Sequence, residues 1–337
     1  MLLLIRGLSY SVFFAVFLLF SCGIKVESDR LGDAVGIDSE VKTGELAKAS
    51  DSPIAVPSDE ENDMSYDELM PGGKKGKKTR QPIPPVTGDQ NDNFSCFDFE
   101  NDDFGSMGQY DIGESQQDFI KLYEPIDIDR ACRMPIVNFS SGVGKSCDDY
   151  KPILEHLASH GFLVACNSSA TGSMADRCID TFENLLAAYA GRVLKKFGTI
   201  GHAEGGSEAI SCAYFLKERW GSEVEVAVHG IQPSRNLDYP NWKQEYGQLV
   251  SPVFLMSDSL DMGNKEKLVR EAYDALQATS YWYVALGAGS FNIEPLAKES
   301  SLAWFRMMLL EDQAARHRVD HLANDGRWLL KEKKLPR

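Results

Sequence analysis

Residues 198–206 read G-T-I-G-H-A-E-G-G. Gly201 and Gly205 bracket Ala203 with the spacing of a serine nucleophile elbow, G-x-S-x-G, a sharp strand-to-helix turn that presents a hydroxyl to an acyl carbonyl. Alanine has no group that attacks or is deprotonated. The chemistry also needs a base and an acid that orients it. Among the six histidines, His202 sits beside Ala203, His229 follows a strand-like run, and His317 and His321 are one helical turn apart. An i, i+4 histidine pair can hold a metal, but no further ligand spacing and no C-x-x-C accompanies it, so neither metal nor cofactor is expected. Asp258 and Asp261 read as loop residues rather than as a paired-carboxylate site.

The elements that must position these residues show in the apolar pattern. Strand candidates are Phe119 to Tyr123, Pro135 to Phe139, Phe162 to Cys166, Phe197 to Ile200, Val224 to Val228, Pro252 to Met256 and Tyr281 to Leu286. Tyr150, Ile153, Leu154, Leu157 and Ala158 make a helical stripe that Gly161 stops. A second stripe runs Met174, Cys178, Phe182, Leu185, Leu186 and Tyr189, and a third Ala209, Cys212, Ala213 and Leu216. Strands without strict alternation, interleaved with helices, predict an α/β fold with a mostly parallel sheet covered on both faces. Ligands of such sheets bind beyond the carboxyl ends of the strands. The elbow falls there, with Phe197 to Ile200 as the strand and Gly206 to Arg219 as the helix.

The stretch C-R-M-P-I-V-N-F-S-S-G-V-G-K-S-C-D-D-Y-K-P-I-L-E-H-L-A-S-H-G-F-L-V-A-C-N-S-S-A-T-G-S-M resembles the α/β-hydrolases grouped with PET hydrolases, cutinase-like lipases, chlorophyllases and dienelactone hydrolases. S-L-A-W-F-R-M-M-L-L-E-D-Q-A-A-R is similar to that family's last helices, and the likeness covers about Asp118 to Trp328. The resemblance implies the α/β-hydrolase fold and a Ser, Asp, His triad in that chain order. It carries the nucleophile position to Ala203, the acid position to Asp261, and the histidine position, in Leu286-Gly287-Ala288-Gly289-Ser290-Phe291, to Ser290. It puts the oxyanion donors on the backbone near Val143 and at Glu204, where any residue but proline suffices. Two of the three chemical groups are therefore missing. Either loss alone costs about 10⁶ in turnover, about 8 kcal/mol of transition-state stabilisation.

Charge and termini narrow the setting. A net charge of -15 argues against nucleic-acid or anionic-lipid binding, and the basic run Lys74-Lys75-Gly76-Lys77-Lys78 reads as a solvated linker. Met1 to Arg6 and the apolar run Leu8 to Phe20 have signal-peptide proportions. Leu19-Phe20-Ser21-Cys22 resembles a bacterial lipobox, departing from it at Phe20, and implies a signal peptide over 1–21 and acylation of Cys22. Residues 22–93 read as a flexible tether and 94–337 as the folded domain. The expected place is the bacterial cell envelope, lipid-anchored at the outer membrane and facing periplasm or surface. Cys96, Cys132, Cys147, Cys166, Cys178 and Cys212 permit up to three disulfides, although Cys166 and Cys212 also fit as buried thiols.

Three readings follow. The first is a lipid-anchored, hydrolase-like domain without catalysis that binds an ester-like or polymer ligand or an envelope protein. The second is a carboxylic-ester hydrolase with a relocated nucleophile, Ser207 or Ser290. The third is a structural spacer. Tyr239, Trp242 and Trp282 are aromatics expected near the strand ends.

Overall fold

The computed structural model describes residues 97–335 except 98, 101–102, 118–119, 130–131, 168–173, 235–240, 261–263 and 290–292. One sheet runs through them: β1 (Ile112–Gln117), β2 (Ile120–Pro125), β3 (Met134–Ser140), β4 (Leu163–Asn167), β5 (Val193–His202), β6 (Glu225–Ile231), β7 (Val253–Asp258), β8 (Ser280–Ala285) and β9 (Trp328–Lys334). The helices are α1 (Lys151–Ser159), α2 (Met174–Ala188), α3 (Glu204–Trp220), α4 (Trp242–Gln248), α5 (Asn264–Ala275), α6 (Glu294–Leu309) and α7 (Gln313–Asp320). Among the described residues no helix is long and apolar enough to cross a membrane.

The spatial order is β1-β2-β4-β3-β5-β6-β7-β8-β9. Strands β3 to β8 pair in parallel, and β1, β2 and β9 join antiparallel at the two sides. The chain is thus an α/β protein. Each parallel strand is an almost unbroken run of buried residues, because helices cover both of its faces. Successive residues of β5 show this directly. The Phe197 ring packs on Phe182 of α2 and Trp220 of α3, whereas the hydrogen side of Gly198 faces Phe305 of α6. All seven predicted strands form. The edge strands β1, I-G-E-S-Q-Q, and β9, W-L-L-K-E-K-K, carry too few apolar residues to stand out by pattern. Their charge suits an edge, since lysines and glutamates discourage pairing with another chain.

The cysteine reading needs correcting at two positions. Cys166 and Cys212 are not thiols: Cys147–Cys166 ties the 3-10 turn that precedes α1 to the end of β4, and Cys178–Cys212 ties α2 to α3. Cys132 is disulfide-bonded as well. Closing segments with sequence separations of 19 and 34 residues removes unfolded-state entropy worth about 3–4 kcal/mol each. A buried strand-end cysteine looks alike in sequence whether or not a partner meets it. Only the packing of α2 on α3 decides.

Candidate functional site

The elbow forms as a strained turn. Strand β5 ends at His202, α3 starts at Glu204, and Ala203 between them has φ 54° and ψ −120°. A side chain there costs about 1–3 kcal/mol and persists only where its surroundings over-determine it. They do. The Ala203 N–H donates to the carbonyl of Ile231 (2.9 Å), and its own carbonyl accepts from Gly206, Ser207 and Ser234. The flanking glycines are steric necessities. A Cβ on Gly201 would run into the Gly205 carbonyl, and one on Gly205 into the Ser140 carbonyl, both well inside 3.0 Å. Strand β3 and helix α3 therefore touch backbone to backbone.

The loop after β3 closes on this turn. A bond from Lys145 N–H to the Gly142 carbonyl (3.0 Å) shapes residues 142–145 with Gly144 at φ 73°, and Val143 points its side chain into solvent. A Cβ on Gly142 would lie 3.6 Å from the Ala203 methyl. The loop therefore sits against the elbow. Strand β3 leads into α1, which packs beside α6, whereas β5 leads into α3, which packs beside α2. The two loops leave the sheet toward opposite faces, so the crevice between them is the topological switch point where open α/β sheets bind ligands. Glu204 donates the first N–H of α3, which has no acceptor within the helix.

A string of side chains crosses the same strand ends. Gly142 N–H donates to Tyr150 Oη (3.3 Å), Tyr150 Oη meets His202 Nδ1 (2.9 Å), His202 Nε2 meets Gln232 Oε1 (2.8 Å), and Gln232 Nε2 donates to Asp258. The carboxylate can only accept, so Gln232 must turn its oxygen to His202. His202 then carries its proton on Nε2 and accepts the Tyr150 hydroxyl proton at Nδ1. Gln232, at the end of β6, has φ 49°, a second strained side-chain-bearing residue beside Ala203. His202 is a tie between loops. The roles of Tyr150, Gln232 and Asp258 leave no trace in sequence, because the contacts join residues 26 to 52 positions apart.

The other predicted residues are scattered. The Ser207 hydroxyl donates to the Ser234 carbonyl, and among the described residues no histidine bonds it. His229 does not follow a strand toward the site but lies inside β6, fully buried, with Nδ1 on Ser301 Oγ (2.8 Å). Trp282 is a core residue whose indole N–H donates to Ser257, while Trp242 is partly buried on α4. The His317 and His321 rings lie 4.4 Å apart, and among the described residues no cluster of three or more His, Cys, Asp or Glu gathers to hold a metal. Asp261, Ser290, Tyr239 and Cys22 lie outside the described residues, as do the basic run, the signal segment and all of the tether.

No protein-family model matches this chain, and no curated protein matches it. Function must be argued from the site itself.

The strain at Ala203 is measurable. Ala203→Gly relieves the positive φ but frees the unfolded chain, and the first effect exceeds the second, so stability should rise by about 1 kcal/mol. A fall in the urea midpoint would show that the turn is not strained.

Proposed function

We propose that this chain is an α/β-hydrolase-like domain that has given up ester hydrolysis and serves as a binding domain, held at the bacterial cell envelope by a lipid on Cys22. The observation that carries the reading is the elbow: a strained turn, braced by two glycines that tolerate no Cβ, presents a methyl group where the fold's chemistry needs a nucleophile. Strain of this kind is retained where a site uses the backbone it shapes. With no attacking group, the crevice retains only what binds: the Glu204 N–H, the loop at Gly142 and Val143, and the network that holds them in register. An ester-like or polymer ligand, or an envelope protein, fits that reading.

The relocated-nucleophile reading loses support at Ser207, whose buried hydroxyl is committed to a carbonyl and, among the described residues, bonds no base. A fluorophosphonate probe, which labels activated serines, tests both readings. The purified full chain is expected to remain unlabelled under conditions that label a serine esterase completely. Stoichiometric labelling at any serine, Ser290 included, would overturn the proposal.

A further inference from the structure

The described residues between Phe97 and Tyr110 form no helix or strand, yet they are fastened across α1 and α6. Phe97 and Phe104 are buried. The Phe97 ring lies 6.3 Å from the Phe162 ring and covers Gly161, where a Cβ would come within 2.9 Å of it. The Arg306 guanidinium of α6 stands 4.9 Å from the Phe104 ring and 5.6 Å from that of Phe99. At the other end the Gly108 N–H donates to Ser159 Oγ (2.8 Å) and the Tyr110 N–H to the Ser159 carbonyl (3.1 Å). The segment is a strap without sheet pairing, a kind of element that opens locally.

Two histidines hold its middle. His156 Nε2 (2.7 Å) and His160 Nε2 (3.1 Å) both meet the Ser106 carbonyl. A carbonyl only accepts, and its two lone pairs take two donors, so each imidazole carries a proton on Nε2. Neutral His156 then has a bare Nδ1, sealed from solvent and without a hydrogen-bond partner among the described residues. A proton added by acid must go there and finds no acceptor. The charged groups facing the ring are His160 at the end of α1, Lys298 on α6 and Asp103 on the strap. The first two oppose a positive imidazole; Asp103 favours it but is already taken by the Ser106 hydroxyl and the Gly105 N–H.

We propose that this strap is an acid-sensitive latch: protonation of His156 lets it lift from α1 and α6 while the sheet stays folded. Lifted, it exposes the rings of Phe97, Phe99 and Phe104 and uncovers Phe162. Burial, helped by His160 and Lys298, keeps the docked His156 from taking a proton until about 3, whereas in a lifted strap it meets water and titrates at about 6.5. The lifted form binds more protons throughout that window, so acid favours it. The latch does not depend on the loss of catalysis at Ala203.

Hydrogen exchange of the full chain at pH 7 and pH 5, corrected for intrinsic rates, tests it. The opening constant at the Gly108 and Tyr110 amides should rise at least about 25-fold at pH 5, the factor one histidine supplies over that interval. Amides of β6 should stay better protected than the strap at both pH values. His156→Gln keeps an N–H₂ to donate to Ser106 but does not titrate, and should make the acid effect about 25-fold smaller. No rise in the native chain would overturn the proposal, whether or not the variant folds. So would equal protection of strap and β6, which would mean that the strap opens only with the sheet, or an undiminished acid effect in folded His156→Gln.

Discussion

Gly205→Ala is expected to unfold the domain or cost it about 3 kcal/mol or more, although the change adds one methyl group. The added carbon would sit inside contact distance of the Ser140 carbonyl and 2.7 Å from the Ser141 carbonyl oxygen. Neither side can yield. Ser140 ends a strand hydrogen-bonded to neighbours on both sides, and Gly205 lies in the first turn of α3. Gly144→Ala is the control. Gly144 belongs to the adjoining loop and has φ 73°, yet nothing lies within 4 Å of its added carbon, so its cost is the backbone preference alone, about 1–2 kcal/mol. Urea midpoints of the two variants should differ by that margin. Equal costs would mean that helix and strand are not in backbone contact at the elbow.

The second large effect is acid sensitivity from two buried imidazoles. His229 is fully buried, and burial pushes its pKa down to about 3. Ser301 donates its hydroxyl to the Ala297 carbonyl, so it accepts the His229 Nδ1 proton and leaves Nε2 without a partner among the described residues. His156 is also lowered to about 3, chiefly by burial, with the neighbouring His160 and Lys298 adding to it and the Ser106 carbonyl opposing it. An unfolded histidine takes up a proton near its ordinary pKa of 6.5, but these two refuse one until about 3. The unfolded state therefore binds more protons throughout that window. Stability should fall with pH at about 1.4 kcal/mol per pH unit for each histidine, beginning below 6.5. Glu208 acts oppositely between about 7, where burial places it, and its ordinary value of 4.5, since its folded form holds a proton that the unfolded form has lost. The difference between native protein and His229→Leu removes that offset. The variant should gain about 3 kcal/mol relative to native between pH 7 and pH 4, read from chemical denaturation. Parallel stability curves would show that His229 is not the acid-sensitive group.

Much of the scaffold was legible in the residues. Uninterrupted apolar runs such as M-P-I-V-N-F-S and V-F-L-M-S-D require burial on both faces, and three helical stripes supply the cover. The elbow glycines were legible too, because their spacing reports a steric need that does not depend on the residue between them. Edge strands were not, since a strand with one neighbour needs less apolar surface. Nor was His229 placed correctly. A histidine within an apolar run reads as a strand end, and only the meeting of β6 with α6 showed that it is enclosed.

The sequence by itself determined the α/β class, the order of the central strands along the chain, the turn at 201–205 and the absence of a hydroxyl at Ala203. These follow from local periodicity and from the size of single residues. Tertiary structure alone decided that Cys178 meets Cys212 and that Tyr150, His202, Gln232 and Asp258 form one string. The reason is distance along the chain. Such contacts depend on how strands register and helices pack, and hydrogen-bond geometry fixed to tenths of an ångström is not encoded in any one segment.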